Sequence, residues 1–434
     1  MFLGAGTGEF LLMAADLNFK PGQYNLVISI FFVPYVLFAP PVAMLGKRFG
    51  PARVLSILMF TFGSMTLLGA ATVNFGDLFV VRFFLGKAES GFFPLVIFYL
   101  TTFYRRGELA RRLAIFYATS NIANAFSGLL AFGVFHINSV LHKWRYLFLI
   151  EGAASLLFSF FAFWYLPRNT SSAGFLTPDE KSLAFCRIQM DSSSVVSEKL
   201  NIRDSLKIFN HPSTYAYLIE ICLGVPLQSV GLFMPQIISR LGYDVLKTNL
   251  YTVAPNVGGA AMLLILAFSS DLLRIRFPFI MAGFIFTLTG FVIYATIQDV
   301  EVNIRLAYFA TFMMVWEPLR HRCCGQHGVT TATSHTHEGR RLVLTSVGVP
   351  CANVMGLVAS NIFREAEKPK YQTALVTTAS FEAVGALAAG TLGAYMVWDN
   401  GRSNRRQGVV RTARDVPTKW LRDGPRSEEF KWFL

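Results

Sequence analysis

The chain contains few charged residues for its length. Of its 434 residues only 15% are Asp, Glu, Lys or Arg, whereas an ordinary soluble domain contains about 25%. Hydrophobic residues make up 53%, and 42 residues are Phe. These apolar residues are too many for one water-soluble core, and they are gathered in long runs. A soluble globular protein is therefore excluded, and lipid is the expected solvent.

Cysteine is scarce, and the usual signals of export and catalysis are missing. The five Cys residues form no spaced framework for a disulfide scaffold. Residues 1–17 lack the basic start of a cleavable signal peptide and include Glu9 and Asp16. We find no nucleotide-binding loop, no convincing set of metal ligands and no nucleophile with a base. The sequence predicts a protein that is not an enzyme and that uses no metal or cofactor.

The positive charge of the chain is distributed between its apolar runs. A formal net charge of +13 is common among nucleic-acid-binding proteins. Here, however, Lys and Arg occur in short clusters between apolar runs and not along one amphipathic face. We therefore predict no nucleic-acid partner, and we interpret the clusters as determinants of membrane topology.

About eleven apolar runs are candidates for membrane spans, since a helix that crosses about 30 Å of hydrocarbon needs about 20 such residues. They are Asn25–Leu45, Val54–Ala71, Leu78–Phe98, Leu113–Val134, Tyr146–Leu166, Thr214–Ile237, Tyr251–Ser270, Phe277–Ile297, Leu306–Trp316, Leu342–Ile362 and Ala374–Val397. Of these, Leu306–Trp316 is too short to span. The pattern predicts an all-α polytopic membrane protein.

A polar central stretch divides these runs into two sets. We predict an N-terminal helical half over residues 1–166, a central loop over 167–212, a C-terminal half over 213–398 and a tail over 399–434. Basic residues are concentrated in alternate loops: Lys47, Arg48, Arg53, Arg105, Arg106, Arg111, Arg112, Arg274, Arg276, Arg340 and Arg341. The positive-inside rule places these loops, the central loop and the tail in the cytoplasm.

Two ionisable residues lie inside the run Leu78–Phe98. Because a charge within the membrane is costly, Arg82 and Glu89 are candidates for function. They are two helical turns apart, so both lie on one face, about 10 Å from each other. Arg offers a planar donor fork to a carboxylate, and a desolvated Glu can bind and release a proton. The alternative is that Arg82 lies at a membrane boundary and that Glu89 pairs with another helix.

The other notable residues in these runs are more simply explained by packing or by structural hydrogen bonds. Gly86, Gly91 and Pro94 indicate close helix packing or a local bend. Glu151, Glu220 and Asp271 lie near helix ends or loops, where structural pairing is the expected role. Several amides are able to reach a polar cavity, or else to form hydrogen bonds between helices; they are Asn121, Asn124, Gln228, Asn256, Asn353 and Asn361.

Several motifs resemble those of one transporter family. Residues 46–53 (GKRFGPAR) resemble the conserved loop between the second and third helices of major facilitator transporters. Residues 80–94 (VVRFFLGKAESGFFP) are closer still to the fungal allantoate permease branch of the anion:cation symporters. Further matches occur at Trp144–Phe148 with Glu151 and Gly152, Gly242–Tyr243, His337–Arg341, Leu421–Pro425 and Phe430–Trp432.

The resemblance implies a major facilitator fold of two six-helix halves that rock around a central site. It implies a monomeric carrier in the plasma membrane that takes up a small organic anion, such as a carboxylate vitamin or nitrogen metabolite, together with protons. Arg82 would hold the substrate carboxylate and Glu89 would be the proton site. We assign further substrate contacts to Asn121, Gln228 and Asn353, and a conformational role to the loop residues Gly46, Arg48, Gly50, Arg53, Asp271 and Arg274.

Two segments depart from the family pattern. The family's first helix carries an Asp-Arg pair, and here only residues 1–17 stand in its place, so we expect most of that helix to be missing. Residues 317–335 carry Arg, His and Cys where the family continues its tenth helix. A frame error or misjudged intron is our preferred explanation, and a soft metal site is a weaker one. These departures leave an alternative open, namely a truncated product or a solute sensor that does not transport.

Overall fold

The computed structural model describes most of the chain as helix. It describes residues 13, 16–20, 22–104, 106–136, 141–169, 172–191, 225–243, 245–273, 277–297, 302–316, 338–363, 367 and 371–408, and these contain no β-strand. The helices are α1 Gln23–Phe49, α2 Pro51–Ala70, α3 Phe75–Glu89, α4 Phe92–Thr101, α5 Arg106–Phe135, α6 Lys143–Tyr165, α7 Pro178–Asp191, α8 Val225–Ser239, α9 Val245–Leu273, α10 Phe277–Thr296, α11 Ile304–Val315, α12 Glu338–Ile362 and α13 Gln372–Gln407.

Eight spans among the described residues are long and apolar enough to cross a membrane, one of them formed by α3 and α4 together. Large apolar side chains such as Leu157, Phe161 and Trp164 of α6 are exposed, as expected of surfaces that face lipid. The prediction of an all-α polytopic membrane protein is confirmed. Eight spans are compatible with the predicted eleven. The predicted run Thr214–Ile237 extends beyond the described residues, α12, which contains the run Leu342–Ile362, is not among the eight, and α11 is short, as expected.

The junction between α1 and α2 is a tight turn at Gly50. This residue has φ 93°, a conformation that favours glycine, and Pro51 then begins α2 at the first helical position, where its missing N–H is harmless. At the start of α3 the Asn74 side chain accepts a hydrogen bond from the Asp77 backbone N–H (2.8 Å). Local sequence thus explains where both helices begin.

Close backbone packing joins the α3–α4 span to α1. A Cβ added at Gly86 would lie 2.2 Å from the Phe31 carbonyl oxygen, and one added at Gly91 would lie 2.1 Å from Val42 Cγ1. Gly91 also falls in the interruption between α3 and α4. The prediction that these glycines serve close packing and a local bend is therefore confirmed.

Two extensive helix contacts, and a smaller one between α4 and α12, join the first six helices to the later ones. Helix α5 packs along α9, and α1 packs along α12. In the second pair the hydroxyls of Ser29 and Ser360 lie 3.0 Å apart. The boundaries predicted for the two halves, the central loop and the tail stay predictions. Pairs α2–α6 and α10–α13 pack within the first and last six helices, respectively.

Candidate functional site

Arg82 is buried in the middle of α3, with only 5% of its surface exposed. Its guanidinium lies over the Phe148 ring of α6, 5.7 Å from the ring centroid, where a cation is attracted to the π face. Its charge also acts on the carboxyl of Glu151, one turn further along α6. Arg82 therefore lies in the interior of the helical bundle.

Glu151 was expected near a helix end, and that expectation is wrong. It lies two turns inside α6, and the Ser127 hydroxyl of α5 donates a hydrogen bond to its Oε1 (3.1 Å). Because Arg82 is close as well, three helices meet at this carboxyl. The sequence did not indicate that Glu151 belongs to the site, because this residue lies only five positions into the predicted run Tyr146–Leu166. The expected structural pairing of Glu151 is present, but it involves the candidate substrate residue.

Glu89, at the last position of α3, lies near an aromatic hydroxyl of another helix. The hydroxyl of Tyr35 on α1 is close enough to interact electrostatically with Glu89 and with Tyr117 of α5. Tyr35 is buried, and the Tyr117 ring packs against Phe93 of α4 with centroids 5.3 Å apart. Tyr35 therefore links the end of α3 to α1 and α5. Both tyrosines stand in apolar runs and gave no separate sequence signal.

The predicted amide contacts lie on helices that face the other half. Asn121 is buried on α5, two turns before Gly128, where an added Cβ would meet Thr252 of α9 at 2.9 Å. Asn353 is half-buried on α12, one turn before Gly356, which contacts Phe32 of α1. Their roles as substrate contacts stay predictions. The side chain of Gln228 lies outside the described residues.

Two of the remaining amides make hydrogen bonds within their own helices. The side chain of Asn256 donates to the Thr252 carbonyl (2.8 Å), and that of Asn361 donates to the Leu357 carbonyl (2.7 Å). Such bonds satisfy a donor of the amide without a ligand. They are neither contacts with a cavity nor the predicted bonds between helices, and the role of Asn124 stays a prediction.

Of the residues predicted to have a conformational role, the structure describes the side chains only of those in the first half of the chain. Gly46 allows α1 to approach α4, since an added Cβ would lie 2.0 Å from Leu95 Cδ2. Arg48 and Arg53 are exposed beside the Gly50 turn. The Asp271 side chain, Arg274, Glu220 and residues 317–335 lie outside the described residues.

One buried acid was missed altogether. Glu382 of α13 has no exposed surface, and it lies one turn after Thr378, whose hydroxyl is 3.4 Å from that of Ser229 on α8. Its signal in the sequence was a lone charge within the predicted run Ala374–Val397. In the part of the chain that the structure describes, no three His, Cys, Asp or Glu residues come together as a metal site.

Comparison with known proteins decides what this helical bundle is. Residues 5–319 match the family model described as Major Facilitator Superfamily. The chain belongs to this superfamily. It is 48% identical to the uncharacterized transporter C1039.04 of Schizosaccharomyces pombe over 97% of this chain and 83% of that protein. The major facilitator relatives and the fold are those of transporters and not of enzymes.

A more distant relative carries a name that specifies its substrate. The chain is 28% identical to the high-affinity nicotinic acid transporter of Saccharomyces cerevisiae, over 87% of this chain and 70% of that protein. Among solved structures, the major facilitator proton:xylose symporter XylE, bound to 6-bromo-6-deoxy-D-glucose, superposes with a TM-score of 0.68. It is 13% identical and covers 88% of this chain and 90% of its own, so it supports the fold alone.

Proposed function

We propose that this membrane transporter couples the uptake of a small organic anion, a carboxylate, to protons. The observation that carries the proposal is the burial of Arg82 in the first third of the span Phe75–Thr101, since a cation buried among apolar helices is retained only for a partner or a ligand. The nicotinic acid transporter named among its relatives carries a substrate with one carboxylate. The branch of allantoate permease-like carriers is our finer assignment within the superfamily.

In this proposal Arg82 binds the substrate carboxylate through its planar fork of donors. Glu151 keeps the guanidinium oriented when the substrate is absent, because its own carboxyl is held by Ser127. Binding of the anion then exchanges one carboxylate partner of Arg82 for another. Such an exchange avoids leaving a buried cation uncompensated at any stage.

Glu89 binds the coupled proton near Tyr35. It lies two turns from Arg82 along the α3 face, so proton and anion occupy neighbouring places in one bundle. Protonation removes a negative charge from the region that the anion must enter. The proton therefore favours anion binding electrostatically, and reciprocally the anion favours the proton.

The two halves rock around this site, with Asn121, Gln228 and Asn353 as further substrate contacts. The carrier acts as a monomer in the plasma membrane, with residues 167–212 and 399–434 in the cytoplasm.

The test is uptake of labelled nicotinate into proteoliposomes, with and without an imposed proton gradient. We expect the gradient to drive accumulation in the unaltered protein. Glu89→Gln should abolish gradient-driven accumulation but retain nicotinate exchange, since a neutral amide resembles the protonated acid. Accumulation by Glu89→Gln equal to that of the unaltered protein would show that the proton site lies elsewhere.

Two further outcomes separate other functions. Nicotinate binding without any exchange would favour a sensor that does not transport. Exchange of other carboxylates but not of nicotinate would retain the transport class and change only the substrate.

Lys87→Gln, which removes an exposed charge from α3, serves as the matched control because Lys87 lies over the Phe38 ring of α1, away from Arg82.

A further inference from the structure

The contact between α5 and α9 is built mainly from small side chains. Buried residues recur along one face of α5 at every third or fourth position: Ala114, Ala118, Asn121, Ala125 and Gly128. The facing residues of α9 include Thr252 and Asn249, whose atoms approach Gly128, and Ala260, Leu263 and Ala267, which pack near Ala114 and Ala118. Small residues let helix backbones approach closely and leave few side chains to interlock.

Two amide nitrogens in this contact lack hydrogen bonds. Asn121 is 8% exposed and Asn249 is 1% exposed, and the Nδ2 of each is buried with no hydrogen-bond partner among the described residues. Within that part of the chain, these are the only side-chain amide nitrogens in this condition. A buried donor without an acceptor raises the free energy of the conformation that contains it.

Both amides face the opposite half. Asn121 shares its face with Ala118 and Gly128, and Asn249 is one turn from Thr252, which approaches Gly128. Oxygen acceptors are at hand across the contact, including the Thr252 hydroxyl and the Asn249 carbonyl, each about 3 Å from the Cβ position of Gly128. A sliding movement of α5 along α9 changes which oxygen atoms of the facing helix lie opposite each amide.

The other extensive contact between the halves differs in this respect. Along α1 and α12, the Ser29 and Ser360 hydroxyls are hydrogen-bonded to each other, and the Phe32 ring fills the space at Gly356. At these positions the α1–α12 contact pairs its donors, although Asn25 Oδ1, one turn before Ser29 on α1, is a buried acceptor without a partner among the described residues. The α5–α9 contact differs in that its unsatisfied groups are two donors.

We propose that Asn121 and Asn249 are positioning residues for the conformational change of this transporter. Their amide nitrogens lack acceptors in the described conformation, and each donates to an oxygen across the α5–α9 contact in the opposite-facing one. The unsatisfied donors destabilise the described conformation and so keep the two conformations similar in free energy. This proposal rests on alternating access between the halves, which is part of the proposed function.

The test measures the two populations directly and needs no substrate. Spin labels are attached at Leu45→Cys on α1 and Leu272→Cys on α9, both exposed, after the five native cysteines have been replaced by serine. Pulsed dipolar spectroscopy in nanodiscs then gives the distance distribution between the halves. Replacing both amides by leucine (Asn121→Leu with Asn249→Leu) removes the unsatisfied donors, and we expect the described conformation to gain about tenfold in population.

Thermal unfolding completes the test, because nicotinate exchange would also respond to the loss of Asn121 as a proposed substrate contact. The double leucine variant should unfold at a higher temperature. Thr119→Val, on the exposed face of α5, should change neither the unfolding temperature nor the distance distribution. A lower unfolding temperature of the double variant would mean that the amides only fill space, and an unchanged distance distribution would mean that they do not set the balance; either result overturns the proposal. An unaltered protein that exchanges neither nicotinate nor other carboxylates would instead contradict the proposed function, and the distance measurement does not depend on that result.

Discussion

The first six helices and the later ones use ionisable residues in different ways. Helices α3 and α6 bring Arg82, Glu89 and Glu151 into the interior. By contrast, α8 and α10 contain no Asp, Glu, Lys or Arg between their ends, and the apolar part of α13 has only Glu382. In the proposed function, the electrostatic part of anion and proton binding therefore belongs to the first six helices.

The largest effect is expected at Arg82. Arg82→Gln removes the donor fork and a positive charge that acts on Glu151, so nicotinate uptake should fall by about a hundredfold or more. Arg82→Lys should recover only part of it, because an ammonium group cannot bind a carboxylate through two parallel bonds. Initial rates of uptake in proteoliposomes measure both. If the uptake rate of Arg82→Gln were within a factor of two of that of the unaltered protein, the proposed role of the first six helices in binding the anion would be wrong.

The next largest effect is expected at Glu151, and Glu382 serves as its counterpart in the later helices. Glu151→Gln weakens the orientation of Arg82 and should lower uptake by about tenfold. Glu382→Gln, an equally conservative change on α13, should leave uptake within about twofold, because no substrate or proton group of the proposal lies beside it. If Glu382→Gln has the stronger effect in the same assay, the ionic chemistry is shared by both halves.

Alanine substitutions at two glycines, one in each set of helices, compare how closely the helix backbones pack there. Gly86→Ala places a Cβ 2.2 Å from the Phe31 carbonyl, a fixed backbone atom, and should destabilise the protein by about 1–3 kcal/mol. Gly283→Ala in α10 meets nothing within 4 Å and should be neutral or stabilise the helix by up to about 1 kcal/mol. Thermal unfolding in detergent measures the difference. Equal losses at both sites would contradict the close approach of α3 and α1.

The smallest effect lies outside the membrane, at the start of α7. The Thr177 backbone N–H and hydroxyl donate to Glu180 Oε2 at 2.9 and 3.0 Å, and these bonds lower the pKa of Glu180. The helix is therefore stabilised above the unfolded-state pKa, about 4.3, and this contribution is lost as the pH falls through the lower folded-state value.

A spin label at the exposed Leu183→Cys should become more mobile as acid protonates Glu180. Glu180→Gln should show high mobility at every pH, whereas Asp179→Asn, which keeps the Thr177–Glu180 bonds, should behave like the unaltered chain. If the mobility of the label did not change with pH in the unaltered protein, the Thr177–Glu180 hydrogen bonds would not be what stabilises the start of α7.

Much of the fold could be predicted because lipid imposes a simple rule. A buried backbone must satisfy its own hydrogen bonds, so each long apolar run becomes a helix, and Gly46–Arg53 indicates the turn at Gly50. The candidate residues Arg82 and Glu89 were found in the same way, as rare charges in such runs. Glu382 had the same signal and was overlooked, and Tyr35 was hidden because a tyrosine in an apolar run matches no functional pattern.

The sequence by itself determined that this is a helical membrane protein with an arginine and a glutamate on one face of one span, since composition and periodicity are local properties. Only the tertiary structure decided that Arg82 is close enough to Glu151 to act on its carboxyl, that Glu89 lies near Tyr35, and that Asn121 and Asn249 both lie at the contact between α5 and α9. These residues are far apart along the chain. Their neighbours depend on which helices pack together, and apolar runs of similar composition do not encode that choice in any local pattern.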